Sequence, residues 1–325
     1  MSEAARFVAR HAVAIAAATL VMAIFRLPQP FLAVLAAFLM LARPFWAEEI
    51  PARLGAAWVG VGLGLLLVCL FPQQPWLLFP AFCVVTIISI RLAARTGSSA
   101  VALLVAMGLC ASLPAGLISP HAALEACWAH GWNLSIGVVV AWASFALFPS
   151  APVLGAPAFS AQNALYVALT VVVASWVALV LQPISSVILV IAAATSALGM
   201  SQPGVPARFG QKTLGACLGG ALSVVLDVTV AGSGNSIAIF LAAMGLFAGG
   251  MAWCMRRWSG AASCFTQCCA MFVVAAPMLP GPDTTLAAMG GRVAAVLAGF
   301  FTAAGVYGLM AFVSAPRSME TAAKA

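Results

Sequence analysis

Twelve apolar runs of roughly twenty residues succeed one another along this chain with almost no charge inside them, and that succession leaves few folds open. They cover about 10–26, 29–46, 53–71, 76–92, 98–118 and 127–148, then 163–181, 184–200, 208–230, 236–254, 260–279 and 286–313. A run of that length crosses a bilayer as an α-helix, and a helix satisfies its own backbone where no water can. The breaks are turn formers: LPQP, FPQQPW, ISPHA, FPSAPVLGAP, LQPI, SQPGVP, AGSGNS and PGPD. The first, second, seventh and eighth runs are short, and one of these pairs is open to being tilted, interrupted or re-entrant, so the expectation is ten to twelve spans. The chain is 64% hydrophobic and only 6% charged, whereas soluble domains are about a quarter charged. The expected fold class is an all-α polytopic membrane protein with about 12 transmembrane helices.

The net charge of +7 would suit nucleic acid or an acidic partner, were the cations not sorted. With both termini cytoplasmic, the inner segments hold Arg6, Arg10, Arg43, Arg53, Arg91, Arg95, Arg208, Lys212, Arg256, Arg257, Arg317 and Lys324, and the outer ones only Arg26 and Arg292. That is the positive-inside pattern, and it accounts for the charge without nucleic acid. The N-terminus has signal-peptide features, but Arg26-Leu27-Pro28-Gln29-Pro30 stands where a cleavage site would, so a retained first helix is expected. The nine cysteines show no CxxC pair and lie mostly inside apolar runs, as small packing residues do.

Two stretches read alike. RLGAAWVGVGLG begins at Arg53 and RFGQKTLGACLG at Arg208. Arg53, Gly55, Gly60 and Gly64 match Arg208, Gly210, Gly215 and Gly219 at a constant offset of 155, which also pairs Pro28 with Pro183. Further on, Arg95 pairs with Arg257 and His130 with Arg292 at an offset of 162, with the extra residues assigned to the longer loop VTVAGSGNS. The reading is two parallel six-helix repeats, 1–158 and 159–325, related by an axis along the membrane normal. Gly60 with Gly64, and Gly215 with Gly219, are four apart and share a helix face, where absent side chains let another backbone come close. Arg53 and Arg208 then either snorkel to lipid headgroups or form a cationic cytoplasmic mouth that gathers an anion.

A hydrophobic chain of two six-helix repeats, each with an Arg before a glycine-rich third helix and with the basic segments RLAARTG and RRWSG after the fourth and tenth spans, resembles the fusaric-acid-resistance (FUSC-like) and aromatic acid exporter superfamily. The resemblance implies a bacterial inner-membrane exporter of aromatic carboxylates, partnered in some relatives by a periplasmic membrane-fusion adaptor; plant relatives conduct organic anions. Longer relatives carry a large cytoplasmic domain between or after the repeats, and here only 149–161 joins the halves. A homo-oligomer stays open.

Polar residues inside spans are costly and mark candidate sites. Arg292, in AAMGGRVAAVLAG, faces the pathway and meets a substrate carboxylate, or else snorkels outward or pairs with Asp283. His130 holds the matching place in CWAHGWNLS, where an imidazole would relay protons. Beside it, Trp132 and Asn133 suit an aromatic acid, while Trp128 and its neighbours equally suit an interfacial aromatic belt. Asp227 is a proton carrier, an arginine partner or a solvated helix end, and Glu125 is read as loop. Gln267 stands mid-span beside Thr266, either as glue between helices or as a substrate contact.

No GxxxxGK[ST] loop, HExxH or Ser–His–Asp set occurs, so neither direct ATP use nor catalysis is expected, and no cofactor or metal. Three readings stay open: a secondary exporter of small organic anions, aromatic carboxylates first, driven by protons; a passive organic-anion channel; and a non-transporting membrane subunit of an adaptor-linked efflux complex.

Overall fold

The computed structural model describes residues 1–41, 46–72, 74–110, 112–149, 159–181, 186–200, 205–232, 236–276 and 286–314. Arg43, Pro183, Asp283, Arg317, Lys324 and the junction at 158 therefore lie outside the described residues. Within them the chain is helical throughout, with no strand. The helices are α1 (Glu3–Phe25), α2 (Phe31–Met40), α3 (Ile50–Leu70), α4 (Pro75–Ala94), α5 (Ser99–Cys110), α6 (Ser112–Gly116) and α7 (Pro120–Leu147). After the junction come α8 (Ala161–Leu181), α9 (Ser186–Met200), α10 (Val205–Gly232), α11 (Ile237–Arg257), α12 (Ala262–Ala275) and α13 (Leu286–Ser314). α5 and α6 occupy one apolar run, and Pro114 has no N–H to return to the Cys110 carbonyl. Nine of these helical runs are long and apolar enough to cross a membrane, and α2, α9 and α12 are apolar but shorter. Side chains such as Trp76, Leu246 and Phe312 are largely exposed on the outside of the bundle. An apolar exterior around an apolar interior is the signature of a multi-pass membrane protein.

Three boundaries differ from the sequence reading. The first and seventh runs are not short: α1 has 23 residues and α8 has 21. α1 gains its first turns because the Ser2 hydroxyl accepts from the Ala5 N–H and Glu3 reaches Arg256 at 3.7 Å, features that apolar counting ignores. The second and eighth runs are short as expected (α2 and α9), and among the described residues the eleventh (α12) is short as well. α7 starts seven residues before its apolar run, since Ser119 caps it through the Ala122 N–H and Pro120 fills its first position. Glu125 is thus helical rather than loop, exposed, and 3.3 Å from His121.

Successive long helices run up and down, so one end of the bundle carries Arg6, Arg10, Arg53, Arg91, Arg95, Arg208, Lys212, Arg256 and Arg257 and the other Arg26 and Arg292. The first is called the basic end below. Here the buried Arg10 guanidinium donates to the Phe148 carbonyl at the close of α7 (3.1 Å) and lies 4.1 Å from the Phe145 ring centroid. A cation on the last carbonyls of a helix favours its negative end.

The closest packing is between helices that run in the same direction. A Cβ at Gly60 would strike the Val105 carbonyl oxygen of α5, and one at Gly64 would lie 2.6 Å from the Ser112 hydroxyl. A Cβ at Gly215 would strike the Cys264 carbonyl of α12, and one at Gly219 the Cys268 carbonyl. Gly137 of α7 sits 2.5–3 Å (as a Cβ position) from Ala33 and Ala37 backbone on α2, and Gly299 of α13 in the same way on Leu189 and Ala193 of α9. These seams gather α2, α9 and α12 into the middle of the bundle. Every residue of α2 except Leu39 is buried, as are residues 188–194 of α9 and 268–275 of α12. Among the described residues these three are also the short apolar helices, and a helix walled by protein need not span the hydrocarbon alone.

Candidate functional site

A cavity of about 390 Å³ opens between α2, α9 and α12. Its walls are apolar near the end opposite the basic one, with Phe31, Leu35, Ile188, Val274 and Val296, and polar toward the basic end, with Thr195, Lys212, Ser263, Thr266 and Gln267. Along α12 the lining runs from Ala262 to Val274, which at about 1.5 Å per residue is roughly 18 Å of the ~30 Å hydrocarbon core. Among the described residues, Lys212 is the one ionisable group in this lining, and no carboxylate faces it there. Two hydroxyls are already committed as donors: Thr195 to the Ile191 carbonyl (3.0 Å) and Thr266 to the Ala262 carbonyl (2.8 Å). They offer lone pairs to the cavity, whereas Lys212, Gln267 and Ser263 carry the N–H and O–H groups that an anion needs.

Arg292 stands beyond the other end. Its Nη1 donates to the Val274 carbonyl (3.1 Å), and its guanidinium carbon is 5.9 Å from the Phe31 ring centroid. Both contacts are to residues that line the cavity. Of the residues singled out in the sequence, Gln267 therefore lines the cavity, and Arg292 packs against two of its wall residues without lining it.

The others go elsewhere. His130 is buried, with neither ring nitrogen in a hydrogen bond of normal geometry, on the part of α7 that faces the Met107 backbone. Asn133 is buried too, and its amide donates to the carbonyls of Pro28 (2.8 Å) and Gln29 (3.3 Å). It fastens the α1–α2 hairpin, where Arg26 and Gln29 hold positive φ values of 51° and 55°. Holding non-glycine residues there takes support from outside. Asn133→Ala is expected to destabilise the protein by about 1–3 kcal/mol, seen as a lower melting midpoint in detergent; an unchanged midpoint would mean the hairpin is held by other contacts.

Trp132 lies half-exposed in an edge-on cluster with Trp58 and Trp128, ring centroids 5.4–6.1 Å apart, and Trp58 donates to the Ser135 hydroxyl (3.0 Å). Asp227 is half-buried on α10 and lines neither cavity described here. Arg53 does not snorkel. Its side chain is 5% exposed, salt-bridged to Glu49 at 2.7 Å and 3.6 Å from the Met40 sulfur. The pair lines a second cavity, of about 510 Å³, among α3, α4 and α5 at the basic end. A carboxylate already occupies the cation there, which weakens it as a collector of anions. Arg208 is half-buried one turn before Lys212.

In the sequence Lys212 reads only as one of the sorted cations, not as a site residue. The signal was present: it follows Arg208 by four residues, so it lies one turn deeper on the same helix face. No protein-family model, curated protein or solved structure matches the chain.

Proposed function

We propose that the chain is an inner-membrane secondary transporter that carries small organic anions, aromatic carboxylates first, through the cavity among α2, α9 and α12, as expected of the exporter superfamily it resembles. One observation carries this reading: the three apolar helices that are, among the described residues, shorter than a membrane span supply most of the cavity's lining, with Lys212 of α10 and Val296 of α13 completing it. Short or interrupted helices at the centre of a bundle are where transporters place their sites, because irregular backbone at membrane depth is tolerated where it lines a cavity. The lining also suits the cargo: rings and aliphatic walls for a flat apolar body, and Lys212 with the amide and hydroxyls of the polar end for a carboxylate. A volume of about 390 Å³ falls in the ordinary range for small ligands, about 300–1,000 Å³.

We infer further that the halves are parallel repeats with both termini cytoplasmic. In support, α3 packs on α5 as α10 does on α12, α2 on α7 as α9 on α13, and α1 on α11 as α8 on α4. Matched seam residues are 155 apart on α3 and α10, 156 on α2 and α9, 159 on α5 and α12, and 162 on α7 and α13. The drift comes in steps rather than in one loop. The sorting of the described cations to one end supports the orientation.

The passive channel keeps one point in its favour. Neither His130 nor Asp227, the expected proton carriers, lines the cavity. Flux of labelled 4-hydroxybenzoate into proteoliposomes tests the pathway. A Ser263→Trp chain, with the polar end of the cavity filled, is expected to lose most of that flux at unchanged folded yield; full flux would place the route elsewhere.

A further inference from the structure

The tight seam of the first half shows what the second half gave up. Where α3 meets α5, Ala57 stands three residues before Gly60, and Gly108 stands three after Val105, whose carbonyl Gly60 faces. A Cβ at Gly108 would lie 2.5 Å from the Ala57 carbonyl oxygen, so no side chain fits between the helices there. In the second half α10 meets α12 in the same way, Gly215 against the Cys264 carbonyl. Three residues before Gly215 is Lys212, and three after Cys264 is Gln267. Two positions that are small and sealed in one seam are long and polar in the other, and both of these side chains line the cavity.

We propose that Lys212 and Gln267 form the anion-binding station of this chain, one per molecule, that takes a monocarboxylate in preference to a dicarboxylate. The assignment rests on the transporter reading for its context and goes beyond it in naming the station. Lys212 and Gln267 line one cavity, half-buried, with no carboxylate among the described lining residues, and a cation drawn from water favours an anion as its partner. Lys212 donates from Nζ and Gln267 from Nε2, while Thr195 and Thr266 keep their protons on their own helices. Binding there separates the carboxylate from water at the basic end and lays the apolar body against Phe38, Leu39 and Met271. Lys212 is the one cation among the described lining residues, so it neutralises one carboxylate and leaves a second unpaired inside the cavity, which sets the preference for monoanions. The sealed Ala57–Gly108 seam has neither donor, so the first half supplies no equivalent station.

The test is equilibrium binding of 4-hydroxybenzoate to the purified full chain in detergent, independent of transport. The expected result is one site per chain, with affinity falling about ten- to hundredfold in Lys212→Gln and recovering to within about threefold of the original in Lys212→Arg. A benzene dicarboxylate is expected to bind more weakly than the monocarboxylate. Lys212 and Lys324 are the two lysines of the sequence. Reductive methylation with isotope-labelled formaldehyde therefore gives a sparse spectrum, in which the Lys212 methyl signal, assigned by its loss in Lys212→Arg, is expected to shift and saturate with ligand. Undiminished binding by Lys212→Gln, or two sites per chain, would overturn the station while leaving the transporter reading intact. A wild-type chain that binds no 4-hydroxybenzoate would overturn it as well, and flux in proteoliposomes would then decide whether the wider reading fails too.

Discussion

A chain carrying Gly215→Leu is expected to yield little folded protein, roughly a tenth of the wild-type monodisperse peak after extraction. The first atom of the new side chain would fall on the Cys264 carbonyl oxygen, closer than real Cβ atoms approach. That neighbour is backbone and cannot rotate away. α12 would have to move off α10, opening the adjacent contact of Gly219 with the Cys268 carbonyl at the same time. Overpacking a well-filled core costs about 1–3 kcal/mol when side chains alone must yield, and a backbone displacement along a whole seam costs more, against a total stability of about 5–15 kcal/mol. Gly210 lies on the same helix with nothing near its missing Cβ. Gly210→Leu is therefore expected to match the wild-type yield. Equal loss in both would show that leucine at any glycine of α10 is harmful, and the seam would lose its special standing.

The second large effect concerns Arg292→Gln, which is expected to lower anion transport about ten- to hundredfold while folded yield stays close to wild type. Glutamine keeps an amide donor for the Val274 carbonyl but removes the charge. The contact that remains, over the Phe31 ring at 5.9 Å, is long for a structural requirement. A hydrogen bond to a charged group contributes about 1.5–3 kcal/mol, and each 1.4 kcal/mol is about tenfold in binding. Arg292→Lys is expected to retain an intermediate rate. Unchanged transport in Arg292→Gln would leave the arginine a role only in anchoring α13 to α12.

Much of this was legible from spacing alone. Apolar runs of membrane length, separated by proline and glycine, fix a helical bundle, and arginines at alternate breaks fix which ends lie together. The glycines at 60, 64, 215 and 219 marked close approach. They did not reveal their partners, because a face of small residues says that a backbone comes near but not which one. The partners are two helices away and parallel, a pairing set by the whole bundle.

The His130, Trp132 and Asn133 cluster misled for a geometric reason. Successive helical residues turn by about 100°, so neighbours in sequence diverge in space. His130 and Asn133, three apart, point inward to α5 and to the α1–α2 hairpin, whereas Trp128 and Trp132, four apart, point outward. The candidate cavity was hard to see because its walls come from α2, α9 and α12, far apart in the chain. Its decisive contrast, Lys212 and Gln267 against Ala57 and Gly108, becomes visible only when the two seams are laid side by side.

The transporter reading is tested most directly by accumulation of labelled 4-hydroxybenzoate in inside-out membrane vesicles, with and without an imposed pH gradient. The account predicts uphill uptake that collapses when the gradient is dissipated and that falls in Lys212→Gln and Arg292→Gln. Uptake that only equalises the two concentrations, whatever the gradient, would contradict active export and make the chain a passive anion channel.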